Sequence, residues 1–206
     1  MCIICIKEKG VRFPSMETVR TMCENNSHGF SLVYNTPKDG TKVFRTLNQE
    51  AFLKEYKRIK KKCRADKTSL YIHARIKTHG TQKLENCHGW IDKECGLAFA
   101  HNGILSGVNN RGDMTDSETF FRDLFVPAFL VGGWKAGERA INAIIGTSKF
   151  VFMDSRGNIS HYGNYIEDDG LLYSNTSYIP YTRPIYTTRA WYPSQYQSCI
   201  DDWVIE

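Results

Sequence analysis

The sequence predicts an α+β protein built in layers. Apolar, β-branched runs occur at the start, the middle and the end of the chain. Helical patterns stand in blocks between them, which excludes a strict β-α-β alternation. The chain has 206 residues, 41% of them apolar and 24% charged, enough for one buried core with at most a short appendage.

The elements follow in order. Residues 2–6 are almost wholly apolar and suit a central buried strand. Pro14 and Ser15 start a helix that runs to about Cys23. Asn25 to Gly29 reads as a loop, and Phe30 to Tyr34 as a strand. Pro37 to Gly40 turns the chain back into Lys42 to Leu47, making a hairpin. Asn48 caps the next helix, where Phe52, Tyr56, Ile59 and Cys63 fall on one face. Leu70 to Ile76 and Gly96 to Ala100 are strands. Ser117 to Phe125 is helical, with Phe120, Phe121, Leu124 and Phe125 on its apolar side. Pro127 and Gly132-Gly133 are expected to interrupt it before a further helix from about Trp134 to Ile145. Short strands follow at Lys149 to Met153, Ser160 to Tyr162 and Leu171 to Ser174. From Tyr178 the chain is rich in Tyr, Pro and Trp without a clean period.

Composition excludes several classes. No apolar run reaches the length of a membrane span, and the N-terminus lacks the basic lead of a secretion signal, so a cytoplasmic protein is expected. The formal charge is +5, much of it between Lys54 and Lys67. That run reads as the solvated face of a helix rather than a nucleic-acid or acidic-partner patch, because no nucleic-acid motif accompanies it. Seven scattered cysteines do not make a disulfide framework. No phosphate loop or dinucleotide fingerprint is visible, and no cofactor is expected.

Four segments carry possible chemistry. Cys2 becomes the N-terminal residue if Met1 is removed, and its small side chain permits that. An α-amine with a pKa of about 7.7–8.0 is then partly neutral and able to take the thiol proton. Arg75 ends an apolar strand and is followed by Thr78 and Gly80, a setting in which a guanidinium presents a planar fork to a carboxylate. His101-Asn102-Gly103 ends another strand. There a side-chain amide and a Gly N–H can point at a developing oxyanion, or simply form a turn. Thr115-Asp116-Ser117-Glu118 opens a helix, where Asp116 is either a cap or the partner of a substrate ammonium.

Together these segments resemble the class II glutamine amidotransferases, the glutaminase branch of the N-terminal nucleophile hydrolases. The matches are Met1-Cys2, Arg75 through Gly80, His101-Asn102-Gly103 and Thr115 through Glu118, with Asn25 through Ser31 similar to a family loop. The resemblance covers roughly residues 2–175. It implies a four-layer αββα sandwich. It implies Cys2 as nucleophile, Asn102 and Gly103 as oxyanion hole, Arg75 with Thr78 on the glutamine α-carboxylate, and Asp116 on its ammonium. The chemistry implied is hydrolysis of glutamine to glutamate and ammonia through a γ-glutamyl thioester. The implied layout is a glutaminase-like domain at 1–177 and an aromatic tail at 178–206. The ammonia would pass to a separate synthetase or ligase.

The chain departs from the family pattern at Ile3, His28, Ser31, Lys77 and Gly89. These changes bear on loop shape and substrate fit. Other readings are a hydrolase of another γ-glutamyl or related amide, and a catalytically silent interaction protein. Cys2-Ile3-Ile4-Cys5 as a redox or metal pair is disfavoured, because positions three apart on a strand face opposite sides. His73, His79, Cys87, His88, Cys95 and His101 hold no standard paired ligand spacing, so no metal is expected.

Overall fold

The computed structural model describes residues 1–76 and 82–180. Two antiparallel sheets lie face to face. The first has six strands, β1 (Ile3–Lys7), β2 (Phe30–Thr36), β3 (Gly40–Thr46), β4 (Ser69–Ala74), β9 (Ile166–Asp168) and β10 (Leu171–Tyr173). Their spatial order is β3-β2-β4-β1-β10-β9. The second holds β5 (Trp90–Asp92), β6 (Leu97–Asn102), β7 (Lys149–Met153) and β8 (Ile159–Tyr162), in that order. β1 is therefore an interior strand, as its apolar run requires, and all five of its residues are buried.

Alternation along β1 sorts its side chains into two cores. Ile3 and Cys5 pack with α1 (Met16–Asn25) and α2 (Gln49–Lys62) on the outer face of the first sheet. Ile4 and Ile6 turn inward, against Ala98, Ala100, Val151 and Met153 of the second sheet. A third core joins the far face of that sheet to the segment Phe120–Phe125, which continues α3 (Asp116–Thr119), and to α4 (Val126–Ile144). The layer order is thus α, β, β, α, and the expected sandwich is the fold observed.

The helices form where the sequence places caps. The Ser15 hydroxyl accepts from the Thr18 N–H, and the Asn48 side chain from the Ala51 N–H. In α2 the positions Phe52, Leu53, Tyr56 and Ile59 are buried, while Lys54, Lys57, Arg58, Lys61 and Lys62 are exposed. Lys60, Lys61 and Lys62 sit in its last turn, where positive charge suits the helix dipole. The turn between β7 and β8 is tied to the β2–β3 hairpin. Asn35 donates to Ser155 O at 2.9 Å, and Thr41 Oγ1 donates to Asp154 O at 2.8 Å.

Three local expectations are corrected. Phe120–Phe125 is a π-helix, whose i→i+5 bonding sets the tilted rings of Phe120 and Phe125 6.2 Å apart and leaves Leu124 outward, 44% exposed. Pro127 does not interrupt the helix. It lies just past the junction where the π-helix passes into α4, and the helical backbone runs on through it. Gly132 and Gly133 do break the helical geometry, with Gly133 at φ 60°. The short strands β5 and β9 were not anticipated. Each has three residues, and too little periodicity for a strand to be read from it. Among the described residues, no helix is long and apolar enough to cross a membrane.

Candidate active site

A cleft of about 590 Å³ opens at one end of the space between the sheets. Three strand ends converge on it for reasons of register. β1 and β4 run antiparallel with Ile3 opposite Ala74, so Cys2 and Arg75 lie one step further on, side by side. β6 crosses behind them and ends at Asn102. The cleft is lined by Cys2, Arg75, Gly103 and Asp116, along with Lys83, His88, His101 and Asp113. Four of the six residues singled out in the sequence are thus brought together. Asn102 immediately precedes Gly103 but is buried behind the lining, 2% exposed. Thr78 lies outside the described residues.

The Cys2 thiol donates to Ile76 O at 3.6 Å. Burial pushes its pKa up, while the Ile76 hydrogen bond and the Arg75 charge pull it back. A base is therefore needed to generate a thiolate. Met1 is 68% exposed, accessible to removal. Cys5 is fully buried in the outer core, so the two cysteines do not form one site. The six described cysteines are free thiols.

Arg75 is 6% exposed, and its Nη1 is buried without a hydrogen-bond partner among the described residues. Its main chain is held from both sides, its N–H donating to Gly29 O and its carbonyl accepting from the His28 N–H, each at 2.8 Å. The loop after α1, through His28 and Gly29, therefore braces the arginine. A buried guanidinium with spare donors is costly unless an anion completes it.

Gly103 has φ 149°, a region L side chains rarely adopt, and a Cβ there would lie 2.9 Å from Ser148 Cα. Asp116 opens α3 behind the Thr115 cap, whose hydroxyl accepts from the Glu118 N–H. One Asp116 oxygen accepts from the Leu105 N–H at 2.9 Å, and the other from the Ser117 N–H at 2.7 Å. The carboxylate thereby pins the loop after Gly103 to the helix start.

Three of the four histidines disfavoured above as metal ligands, His73, His88 and His101, form a row, and His79 lies outside the described residues. His73 stacks on His88 with ring centroids 4.0 Å apart, and His88 lies parallel to His101 at 6.3 Å. His88 Nδ1 accepts from the His101 N–H at 3.1 Å, and His101 Nδ1 bonds Ser117 Oγ at 2.7 Å. Burial depresses all three pKa values, His73 to about 3 and His101 to about 4, with the Asp116 charge partly opposing the shift at His101. Stacked rings do not converge on a point, and among the described residues no group of three or more could hold a metal ion.

The residues after β10 complete the frame, and the sequence offered no sign of them. Asn175 Nδ2 donates to Cys2 O at 2.6 Å. Ser174 Oγ accepts from the Ile4 N–H and from Asn102 Nδ2, both at 2.8 Å. These links span some 70 to 170 residues of chain, and no local pattern encodes them.

Two facing antiparallel sheets between helical layers, with this cleft at the strand ends, define a sandwich of the N-terminal nucleophile hydrolase type. Among solved structures, the glutamine phosphoribosylpyrophosphate (PRPP) amidotransferase from B. subtilis, complexed with ADP and GMP, shares the fold at TM-score 0.54 and 13% identity. The match covers 84% of this chain and 42% of that one, so this chain corresponds to less than half of that protein. A glutamine aminotransferase class-II domain protein from Silicibacter pomeroyi is matched at TM-score 0.44 and 16% identity, over 75% of this chain and 73% of that one. No protein-family model and no curated protein matches the chain.

Proposed function

We propose that the chain hydrolyses the side-chain amide of glutamine, with Cys2 as the nucleophile after removal of Met1. The observation that carries this reading is the meeting of Cys2, Arg75, Gly103 and Asp116 on one cleft, from three strands and a helix start distant in sequence. The lining also bears both signs of charge, Arg75 and Lys83 against Asp113 and Asp116, which suits a zwitterionic amino acid.

In this reading the Cys2 α-amine takes the thiol proton, and the thiolate attacks the amide carbon. The developing oxyanion is met by the Gly103 N–H and the Asn102 amide. The tetrahedral intermediate collapses as the protonated amine supplies a proton to the leaving nitrogen; the C–N bond breaks, ammonia departs and a γ-glutamyl thioester is left on Cys2. Water then attacks the thioester to give glutamate and restore the thiol. Arg75 holds the α-carboxylate and Asp116 the α-ammonium, with Thr78 supporting the arginine. The ammonia goes to a synthetase or ligase on another chain, the partner that a pull-down would identify.

The test is ammonia release from glutamine by the purified protein. Turnover by the wild type and its loss in Cys2→Ala is the expected result. Wild-type protein that releases no ammonia from glutamine, with or without captured partners, overturns the reading.

A further inference from the structure

Ser174 and Asn175 belong to none of the motifs, yet they touch both halves of the cleft. Ser174 is 3% exposed. Its N–H donates to Ile4 O at 2.9 Å and its hydroxyl accepts from the Ile4 N–H, which fixes it against β1 in the first sheet. The same hydroxyl accepts from Asn102 Nδ2, at the end of β6 in the second sheet. One oxygen therefore joins the two sheets where their strands enter the cleft. A hydroxyl has two acceptor lone pairs, and these contacts use both.

The consequence falls on Asn102. A primary amide carries two N–H groups in one plane. With one committed to Ser174, the direction of the other is set. The amide oxygen is buried and finds no partner among the described residues, so nothing else there holds this plane. Asn175 acts on the opposite component, since its Nδ2 grips the carbonyl of Cys2. Two consecutive residues thus hold the nucleophile's main chain and the amide in one rigid frame. Small displacements between reacting groups cost large factors in rate.

We propose that Ser174 is a positioning residue that sets the plane of the Asn102 amide and so aims its second N–H at the oxyanion formed on the substrate. The inference rests on the glutaminase reading of the cleft. It assigns Ser174 no contact with substrate.

Ser174→Ala is expected to lower kcat for glutamine by up to about a hundredfold, the loss that a misplacement of about 1 Å can cause. KM should be unchanged, because Arg75 and Asp116 are untouched. The rate of Cys2 alkylation by iodoacetamide should also be unchanged, because Asn175 still holds the nucleophile. The deciding comparison is the double variant. If Ser174 acts through Asn102, Asn102→Ala with Ser174→Ala is no slower than Asn102→Ala alone. Should Ser174→Ala fail to fold, Ser174→Cys keeps the volume with a poor acceptor and should show the same loss. Wild-type kcat in the folded Ser174 variant, or losses that multiply in the double variant, overturns the inference and leaves the glutaminase reading intact. A wild type that does not turn over glutamine overturns both.

Discussion

At the scale of single residues, the site is defined by residues that have no substitute. Gly103 is one. Its φ of 149° and the closeness of Ser148 leave no room for a methyl group. Gly103→Ala should destabilise the protein by about 1–3 kcal/mol, the range for overpacking, and move the loop that follows it. Urea unfolding measures this, and an unchanged midpoint would contradict it. Asn175 is another. Asn175→Ala frees the Cys2 carbonyl and should lower kcat with little change in the unfolding midpoint, since the lost bond lies at the edge of β1. Equal kcat in variant and wild type would show that the Cys2 main chain needs no clamp. Cys2, Arg75, Gly103 and Asp116 were legible in the sequence because each sits in a short motif at a strand end or helix start. Ser174 and Asn175 were not, because their roles come from long-range register alone. The histidines were visible as residues, but their stacking was not. It depends on how the two sheets face each other.

At the scale of elements, β1 does two jobs. Its inward residues join the sheets, and its register with β4 sets Cys2, the residue before it, beside Arg75. Its last residue, Lys7, is fully buried and donates to the carbonyls of Ala65 and Thr68, with its ammonium 4.7 Å from the Phe13 ring centroid. This bond pair fixes the turn between α2 and β4, and so the strand that ends in Arg75. Lys7→Met keeps the length of the side chain but removes the ammonium donor from both carbonyls, of which Ala65 O keeps the Gly10 N–H at 3.2 Å. It should cost about 1–3 kcal/mol in a urea or thermal unfolding experiment. A variant as stable as the wild type would show that water satisfies the carbonyls instead. Strands with long apolar runs and helices with side-chain caps were readable, since each signal is local. The π-helix was not. A phenylalanine-rich stretch fits α-helical spacing equally well, and the choice is made by packing against Phe150 and Phe152.

At the scale of the whole molecule, the histidine row makes the joint between the sheets acid-sensitive. Unfolded, an imidazole takes up its proton near pH 6.5. Folded, burial holds His73 unprotonated to about pH 3 and His101 to about pH 4, with Arg75 adding to the shift at His73. Between those values the unfolded chain binds more protons than the native one. The stability these groups allow is therefore full above about pH 6.5 and is lost as the pH falls. Each of the two should contribute a slope of about 1.4 kcal/mol per pH unit in that window. His73→Phe keeps a flat ring on His88 and should flatten the pH dependence between 6 and 4 by about that amount. Equal slopes in variant and wild type would contradict the assignment. The layer order follows from alternation along the strands. It was legible in outline, but the pairing order of the first sheet, with two segments distant in sequence meeting at β1 and β10, was not.

The central claim is that Cys2, as the N-terminal residue, is the nucleophile of a glutamine-binding cleft. Peptide mass mapping after treatment with an electrophilic glutamine analogue, a diazo ketone in place of the side-chain amide, tests it most directly. The account predicts an N-terminal peptide that lacks Met1 and carries a single adduct on Cys2, with labelling suppressed by excess glutamine. An N-terminal peptide that retains Met1, or an adduct on another cysteine, would contradict it.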